Sequence, residues 1–295
     1  MNWFRKLFAP LFAALALTGC ATDIYAPSED RVAPAMWKVA DEDTTIYLFG
    51  TVHALTDGTE WFAGPIEQAY AASDELVTEI ALDNAAADGQ AIASRAVLPQ
   101  GQSLRELMAP DARARFEDAL VSLGLPVTAM DRYKPWYAAM LLTLRQVGQQ
   151  GFTSQSGAEA TLAGRSDGKR RSAFETVDDQ VDLFDSLPQA AQLTLLDETV
   201  QAMNVAADTL RIMVDRWLAG DAAGLAVLMN NELADPVLHA RLLTDRNARW
   251  AEWLDRRMEE PGTVFVAVGA GHLAGKGSVQ DQLRKRGHKV RRVEK

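Results

Sequence analysis

One cysteine, Cys20, occurs in 295 residues. A mature chain without further cysteine has no internal disulfide, so its stability in an oxidising compartment must come from a packed core. The length and a hydrophobic content of 48% suffice for that, as one large domain or two intimate lobes, and argue against disorder. Basic charge is in deficit, with a formal net charge of -10, which makes nucleic acid an unsuitable partner. After residue 20 no stretch is long and apolar enough for a transmembrane helix. Neither a fixed-period repeat nor a low-complexity segment is present. Histidine is scarce too: there are four.

The first residues, "MNWFRKLFAPLFAALALTGC", place Arg5 and Lys6 before an apolar run from Leu7 to Leu17 that is too short to span a bilayer and reads as a secretory signal, residues 1–19. Its end, Leu17, Thr18, Gly19 and Cys20, resembles the lipobox of bacterial lipoproteins, which implies that Cys20 is lipidated and becomes the first mature residue. The alternative is a plain signal peptide cut near Ala21, with Cys20 lost. Several acyl chains on one residue suffice for stable membrane anchoring. Ala21 rather than Asp after the cysteine favours, by the sorting rule of such lipoproteins, the outer membrane, with the protein on its periplasmic face. Loss of residues 1–19, which hold Arg5 and Lys6 and no acid, moves the formal charge from -10 to -12. Residues 20–34, with Pro27, Ser28, Glu29, Asp30 and Pro34, read as a tether to a domain over 35–295.

"MWKVADEDTTIYLFG" predicts a β-hairpin turning on Asp41, Glu42 and Asp43, followed by a helix from Pro65 and a strand through Leu76, Val77 and Ile80. Residues 84–165 are mainly helical in pattern. "SLRELMAPDARARFEDALVSLG" predicts a helix capped by Ser103, with Glu106 three residues on, and another helix begins near Pro135. A short strand in "KRRSAFETV" precedes an acidic helix; residues 189–218 form a further helix with Leu193, Leu196, Val200 and Met203 on one stripe, and more helix follows. The tail reads strand, helix, strand in "TVFVAVGAG", "SVQDQLRKRG" and "KVRRV". The expected architecture is α/β (α+β): a sheet built from N- and C-terminal strands with a large helical insertion.

Four of these strands end in a metal ligand or acid–base group: His53, Glu79, Glu175 and His272. Ligands of open α/β sheets bind outside the carboxyl ends of the strands, so two imidazoles and two carboxylates are expected at one crevice. Gly50 and Gly269 each stand three residues before a histidine, where a missing side chain lets the strand turn sharply and a ligand approach the backbone. Imidazole with carboxylate suits Zn²⁺, Mn²⁺, Co²⁺ or Fe²⁺, with one glutamate left over as general base. A lone histidine after a strand is more often a hydrogen-bonded turn residue, and it is the matched pair that points to a site. His239, on an amphipathic helix, and His288, in "RKRGHK", read as structural. Trp136, Trp217, Trp250 and Trp253 read as core.

The chain resembles the TraB/GumN family, related to the Tiki proteases, whose hallmark is a pair of Gly-x-x-His motifs near the two ends of the domain. "YLFGTVHAL", "LVTEI", "YKPWYAAMLL", "FETVDDQVDLFDSLP", "DRNARWAEWL" and "VAVGAGHLAGKGSVQDQLRKRGHKV" carry the resemblance, over nearly all of the mature chain. It implies a sheet core of duplicated origin under helical cover and, more loosely, metal-dependent peptidase chemistry, established for the Tiki branch. His53, Glu79, Glu175 and His272 match the family's motif positions, with His53, His272 and Glu79 as the metal set (Mn, Co or Zn) and Glu79 and Glu175 as acid–base candidates. Many members carry an aspartate close after the first glutamate; here Ala81 contributes no ligand and Asp83 is displaced. The resemblance also turns Arg246 and Asn247 toward the site, where Arg246 would clamp a carboxylate and Asn247 stabilise an oxyanion, although a salt-bridged helix position is the plainer reading of this pair.

Three functions compete. The first is a metal-dependent, peptidase-like hydrolase of peptide or other amide or ester bonds in the cell envelope. The second is a ligand- or haem-binding lipoprotein without catalysis, and the third an interaction protein with a vestigial site.

Overall fold

Strands β1 (Met36–Ala40) and β2 (Thr44–Thr51) pair antiparallel, and Asp41 closes their turn by accepting from the backbone N–H of Asp43 and Thr44. The computed structural model describes residues 33–81, 85–232 and 239–294; Cys20, the signal, all but the end of the tether, and Asp83 lie outside them. Pro65 opens helix α1 (Pro65–Ala71), where its missing N–H costs nothing, and β4 (Glu75–Ile80) follows the two-residue β3 (Leu55–Thr56) and this helix.

One six-stranded sheet runs in the order β6-β4-β7-β2-β1-β8, where β6 is Arg170–Glu175, β7 Gly262–Gly269 and β8 Val290–Arg292. Strands β6, β4, β7 and β2 are mutually parallel, and β1 is antiparallel to both its neighbours. The C-terminal strand β7 slides between β2 and β4, so the two ends of the domain interleave. Strand β6 comes from the middle of the chain, so the sheet is not drawn from the termini alone and the helical insertion is split in two.

Being central and parallel, β7 is buried on both faces, which is why "VFVAV" is a continuous apolar run. Phe265 and Ala267 face Phe49, Trp61, Tyr70 and Trp217. Val264, Val266 and Val268 face Trp250, Ala251 and Leu254 of α10 (Asp245–Arg257) and Val279 and Leu283 of α11 (Val279–Lys285). Each buried Val, Leu or Phe side chain among them contributes about 1.5–3 kcal/mol by burial.

The insertion has its own core. Helices α2 (Ala85–Arg95), α3 (Leu104–Leu107), α4 (Pro110–Ser122) and α5 (Pro135–Gln149) come before β6. The pair β5 (Phe152–Thr153) and α6 (Ala158–Ala163) follows α5, and α7 (Val177–Asp185), α8 (Gln189–Leu218) and α9 (Ala222–Glu232) come after β6. The α8 stripe of Leu193, Leu196, Val200 and Met203 packs with Leu104, Phe116, Trp136 and Leu142, and its last turns pack Leu210, Val214 and Trp217 on the sheet.

The helix expected to run on from Ser103 is interrupted. Pro110 pushes Ala109 into extended backbone, Met108 is extended as well, and α3 is a single turn. Ser103 sits at its N-terminus without a side-chain capping bond.

Candidate functional site

Because β2, β4, β6 and β7 are parallel, their carboxyl ends share one edge of the sheet. Gly50 pairs with Val268 and Thr51 with Gly269, so the two Gly-x-x-His stretches lie side by side, one residue out of step. Glu79 is the penultimate residue of β4 and Glu175 the last of β6. His53 lies two residues past β2, and His272 lies in a single 3-10 turn, Ala270–Leu273, past β7.

Neither motif glycine makes the sharp turn expected of it; Gly269 has φ -49, open to any residue. What matters is the absent side chain. A methyl on Gly50 would sit 3.1 Å from the backbone of Ala270, and one on Gly269 would sit 3.1 Å from Glu79 Oε1, 3.5 Å from His53 Nε2 and 3.8 Å from His272 Cδ2. Both imidazoles and one carboxylate therefore meet at the space over Gly269.

Arg246 is the hub, and it reaches the site because it opens the inner face of α10. Its Nε and Nη2 donate to the two oxygens of Glu175 (2.8 Å each), Nη2 donates also to Glu79 Oε2 (2.8 Å), and Nη1 donates to Leu242 O (3.1 Å) and His272 Nε2 (3.0 Å). All five guanidinium N–H groups are thus used. Leu242 belongs to a π-helical turn, Ala240–Thr244, that leads into α10. Trp250, one turn beyond Arg246, donates from Nε1 to Glu175 Oε1 (3.1 Å), lies under the guanidinium at 4.7 Å and touches the His272 ring at 4.3 Å. It is a core residue, as expected, and a wall of the site besides.

His272 is fixed in one tautomer. A guanidinium has no acceptor, so Nε2 must accept from Arg246, and Nδ1–H then donates to Asn247 Oδ1 (2.6 Å). The Asn247 amide is oriented by its own donation to Gly277 O (2.9 Å). Both ends of Asn247 are engaged and its side chain is buried, so it holds a ring in place and does not present itself to an oxyanion. Burial, and next the Arg246 charge, push the His272 imidazolium down to about 3, so the ring is neutral.

Burial works to raise the Glu79 carboxyl, but Arg246 foremost, helped by the N–H of Gly269 (2.6 Å to Oε1), holds it well below the usual carboxylate range. Gln180 donates to Glu79 Oε2 (3.2 Å).

His53 is the open member, with 42% of its side chain exposed against 13% for Glu79, 7% for Glu175, 6% for Arg246 and 5% for His272. Its Nδ1 lies 2.7 Å from Glu159 Oε1, and this carboxylate raises the imidazole to about 9 against the opposing effect of desolvation. Glu159, Gln180 and the second duty of Trp250 escaped the sequence reading: Glu159 and Gln180 sit in the first turns of α6 and α7, where acidic and amide residues are commonplace. His288 is paired with Asp255 (2.6 Å), away from the site.

The model of the TraB/PrgY/gumN family matches residues 35–292. The chain belongs to that family. The uncharacterized protein YbaP of Escherichia coli (strain K12) is 27% identical over 189 residues, covering 63% of this chain and 70% of YbaP, and a YbaP of Shigella flexneri matches to the same extent. An uncharacterized protein of Treponema pallidum (strain Nichols) is 23% identical over 268 residues, covering 85% of this chain and 80% of its own. No solved structure matches the chain.

The family resemblance raises a divalent metal, and the donors fit one in kind. Each imidazole has Nδ1 engaged by a polar side chain, the arrangement that aims Nε2 at an ion; His272 is neutral, the form a metal binds, and its Nε2 lies 3.8 Å from Glu79 Oε1. Among the described residues no three His, Cys, Asp or Glu side chains are grouped as a metal site. The His272 lone pair that an ion would need is taken up by Nη1 of Arg246.

Proposed function

We propose that this protein is a metal-dependent hydrolase of peptide or other amide or ester bonds, held by an acylated Cys20 at the periplasmic face of the outer membrane. The observation that supports it most is the meeting of His53 Nε2, the His272 ring and the Glu79 carboxylate over Gly269, with His272 Nε2 3.8 Å from Glu79 Oε1. His53, His272 and Glu79 would hold Mn²⁺, Co²⁺ or Zn²⁺, which when bound supplies a polarised carbonyl and an acidified water.

The chain's own residues do the rest. Asn247 keeps His272 in the Nδ1–H tautomer, with Nε2 turned to the site. Arg246 gives up His272 while keeping its two-pronged bond to Glu175, and the freed Nη1 becomes a donor to a substrate carboxylate or a developing oxyanion. Glu175 serves as the anchor of Arg246, and Glu79, ionised and partly exposed, takes the ligand or base position. Substrate enters beside the exposed His53.

The test treats purified protein with EDTA, restores Mn²⁺, Co²⁺ or Zn²⁺, and follows a peptide and ester library by mass spectrometry. Metal-restored cleavage that disappears in His53→Ala is expected; a library left intact under every metal removes the hydrolase reading. The exposed His53 imidazole would also suit a ligand to haem iron. A Soret band on adding haemin, lost in His53→Ala, together with an uncut library would put the binding reading first.

A further inference from the structure

We propose that Glu159 is the positioning residue of His53: its carboxylate accepts a hydrogen bond from Nδ1–H of the imidazole and thereby aims Nε2 over Gly269. The proposal rests on the reading of His53 as the open imidazole of the site.

The chain places Glu159 there with some care. The backbone N–H of Ala158 donates to Val52 O (3.0 Å), which stitches the first turn of α6 to the loop that carries His53. Gly157 makes this approach feasible, because a Cβ there would collide with the carbonyl group of His53. Two antiparallel pairs, Leu55 with Thr153 and Thr56 with Phe152, fasten the same loop to the chain just before α6. Glu159 Oε1 then receives two donors, the buried hydroxyl of Thr51 and Nδ1 of His53.

A salt bridge kept only for stability explains this poorly. The Glu159 side chain is 15% exposed, and the desolvation of such a carboxylate largely cancels what an ion pair to a half-open imidazole returns. The arrangement instead repeats, from another element and with another residue type, what Asn247 does for His272. Both histidines have Nδ1 engaged and both rings border the space over Gly269, His53 with Nε2 and His272 with Cδ2, in keeping with the pattern in which a second polar side chain orients a histidine toward an ion.

The experiment compares the full mature protein with Glu159→Ala, Glu159→Gln and Thr51→Val, using ¹⁵N-edited NMR of the imidazole N–H groups, with His53→Gln for assignment, and calorimetric titration with Mn²⁺. A downfield His53 Nδ1–H proton is expected in the wild type, absent in Glu159→Ala and retained but shifted in Glu159→Gln, whose amide oxygen still accepts. Mn²⁺ affinity should fall about 10- to 100-fold in Glu159→Ala and recover in part in Glu159→Gln. If Glu159→Ala does not fold, Glu159→Gln and Thr51→Val carry the comparison, each with a shifted resonance and an intermediate affinity. An Nδ1–H resonance that persists in Glu159→Ala, or lost resonance with unchanged affinity, overturns the proposal. Should the wild type bind no metal, the metal-dependent reading falls, and the resonance alone decides whether Glu159 holds the ring.

Discussion

Nη1 of Arg246 stands 3.0 Å from Nε2 of His272, so the one nitrogen through which His272 would reach an ion is bonded to a cation that the chain itself supplies. With Nε and Nη2 on Glu79 and Glu175, the guanidinium offsets half the charge of a buried acidic pair that would otherwise repel.

Removing that cation has a definite cost. Arg246→Met should destabilise the protein by about 3–5 kcal/mol, the effect of breaking a buried ion pair from one side. Urea unfolding measures it. Because a divalent ion would restore the missing charge, Mn²⁺ should raise the melting temperature of the variant more than that of the wild type. A loss below about 1 kcal/mol would mean that Glu79 and Glu175 do not depend on Arg246.

The two histidines respond to pH in opposite directions. His53 is raised from 6.5 to about 9 by Glu159, so the stability from this pair is present below pH 6.5 and lost as pH rises through about 9; with 42% of the side chain in solvent, the loss is small. His272 is lowered to about 3, so the unfolded chain binds a proton that the native one refuses, and stability falls as pH drops from about 6.5 toward 3. Urea midpoints between pH 4 and 10 test both. His53→Gln should abolish the alkaline decline and leave the acid limb; an unchanged alkaline limb would detach His53 from it.

The local parts of this site were legible, and the rule that ligands gather at the carboxyl ends of parallel strands brought them to one crevice; the strand order that does so was not legible. Gly-x-x-His after a β-branched run and glutamates at strand ends can be read from short windows, because strands and their stops are local matters. That β7 slots between β2 and β4 depends on pairing across some two hundred residues, which no window contains. Glu159 was hidden for the same reason, since it lies on another element than its partner Thr51, 108 residues away. The break at Pro110 was readable, and the apolar spacing across "SLRELM" outweighed it.

The N-terminus makes a prediction independent of the crevice. Cys20→Ser should release the protein from outer-membrane fractions, because one unacylated signal end offers no stable anchor. Fractionation of cells expressing each form checks this, and equal membrane partitioning would refute the lipoprotein reading.

The two motif glycines give the sharpest separation of site from scaffold. Gly269 has a backbone conformation that alanine adopts freely, and a methyl there would meet the ends of side chains: Glu79 Oε1 at 3.1 Å, His53 Nε2 at 3.5 Å and His272 Cδ2 at 3.8 Å. The Glu79 carboxylate can retreat by a few tenths of an ångström, and the N–H of residue 269 still donates to it, so Gly269→Ala should fold with a stability change within about 1 kcal/mol. It fills the space where an ion or a reacting atom would sit, so Mn²⁺ affinity and turnover should both fall by at least about 10². Gly50→Ala pushes instead on the backbone of Ala270, which cannot swing aside, and overpacking of this sort costs about 1–3 kcal/mol. Its loss should appear in the melting temperature, with Mn²⁺ affinity reduced less than in Gly269→Ala. If Gly269→Ala binds Mn²⁺ like the wild type, the space between the two imidazoles is not the site, and the function must be sought on the exposed His53 side alone.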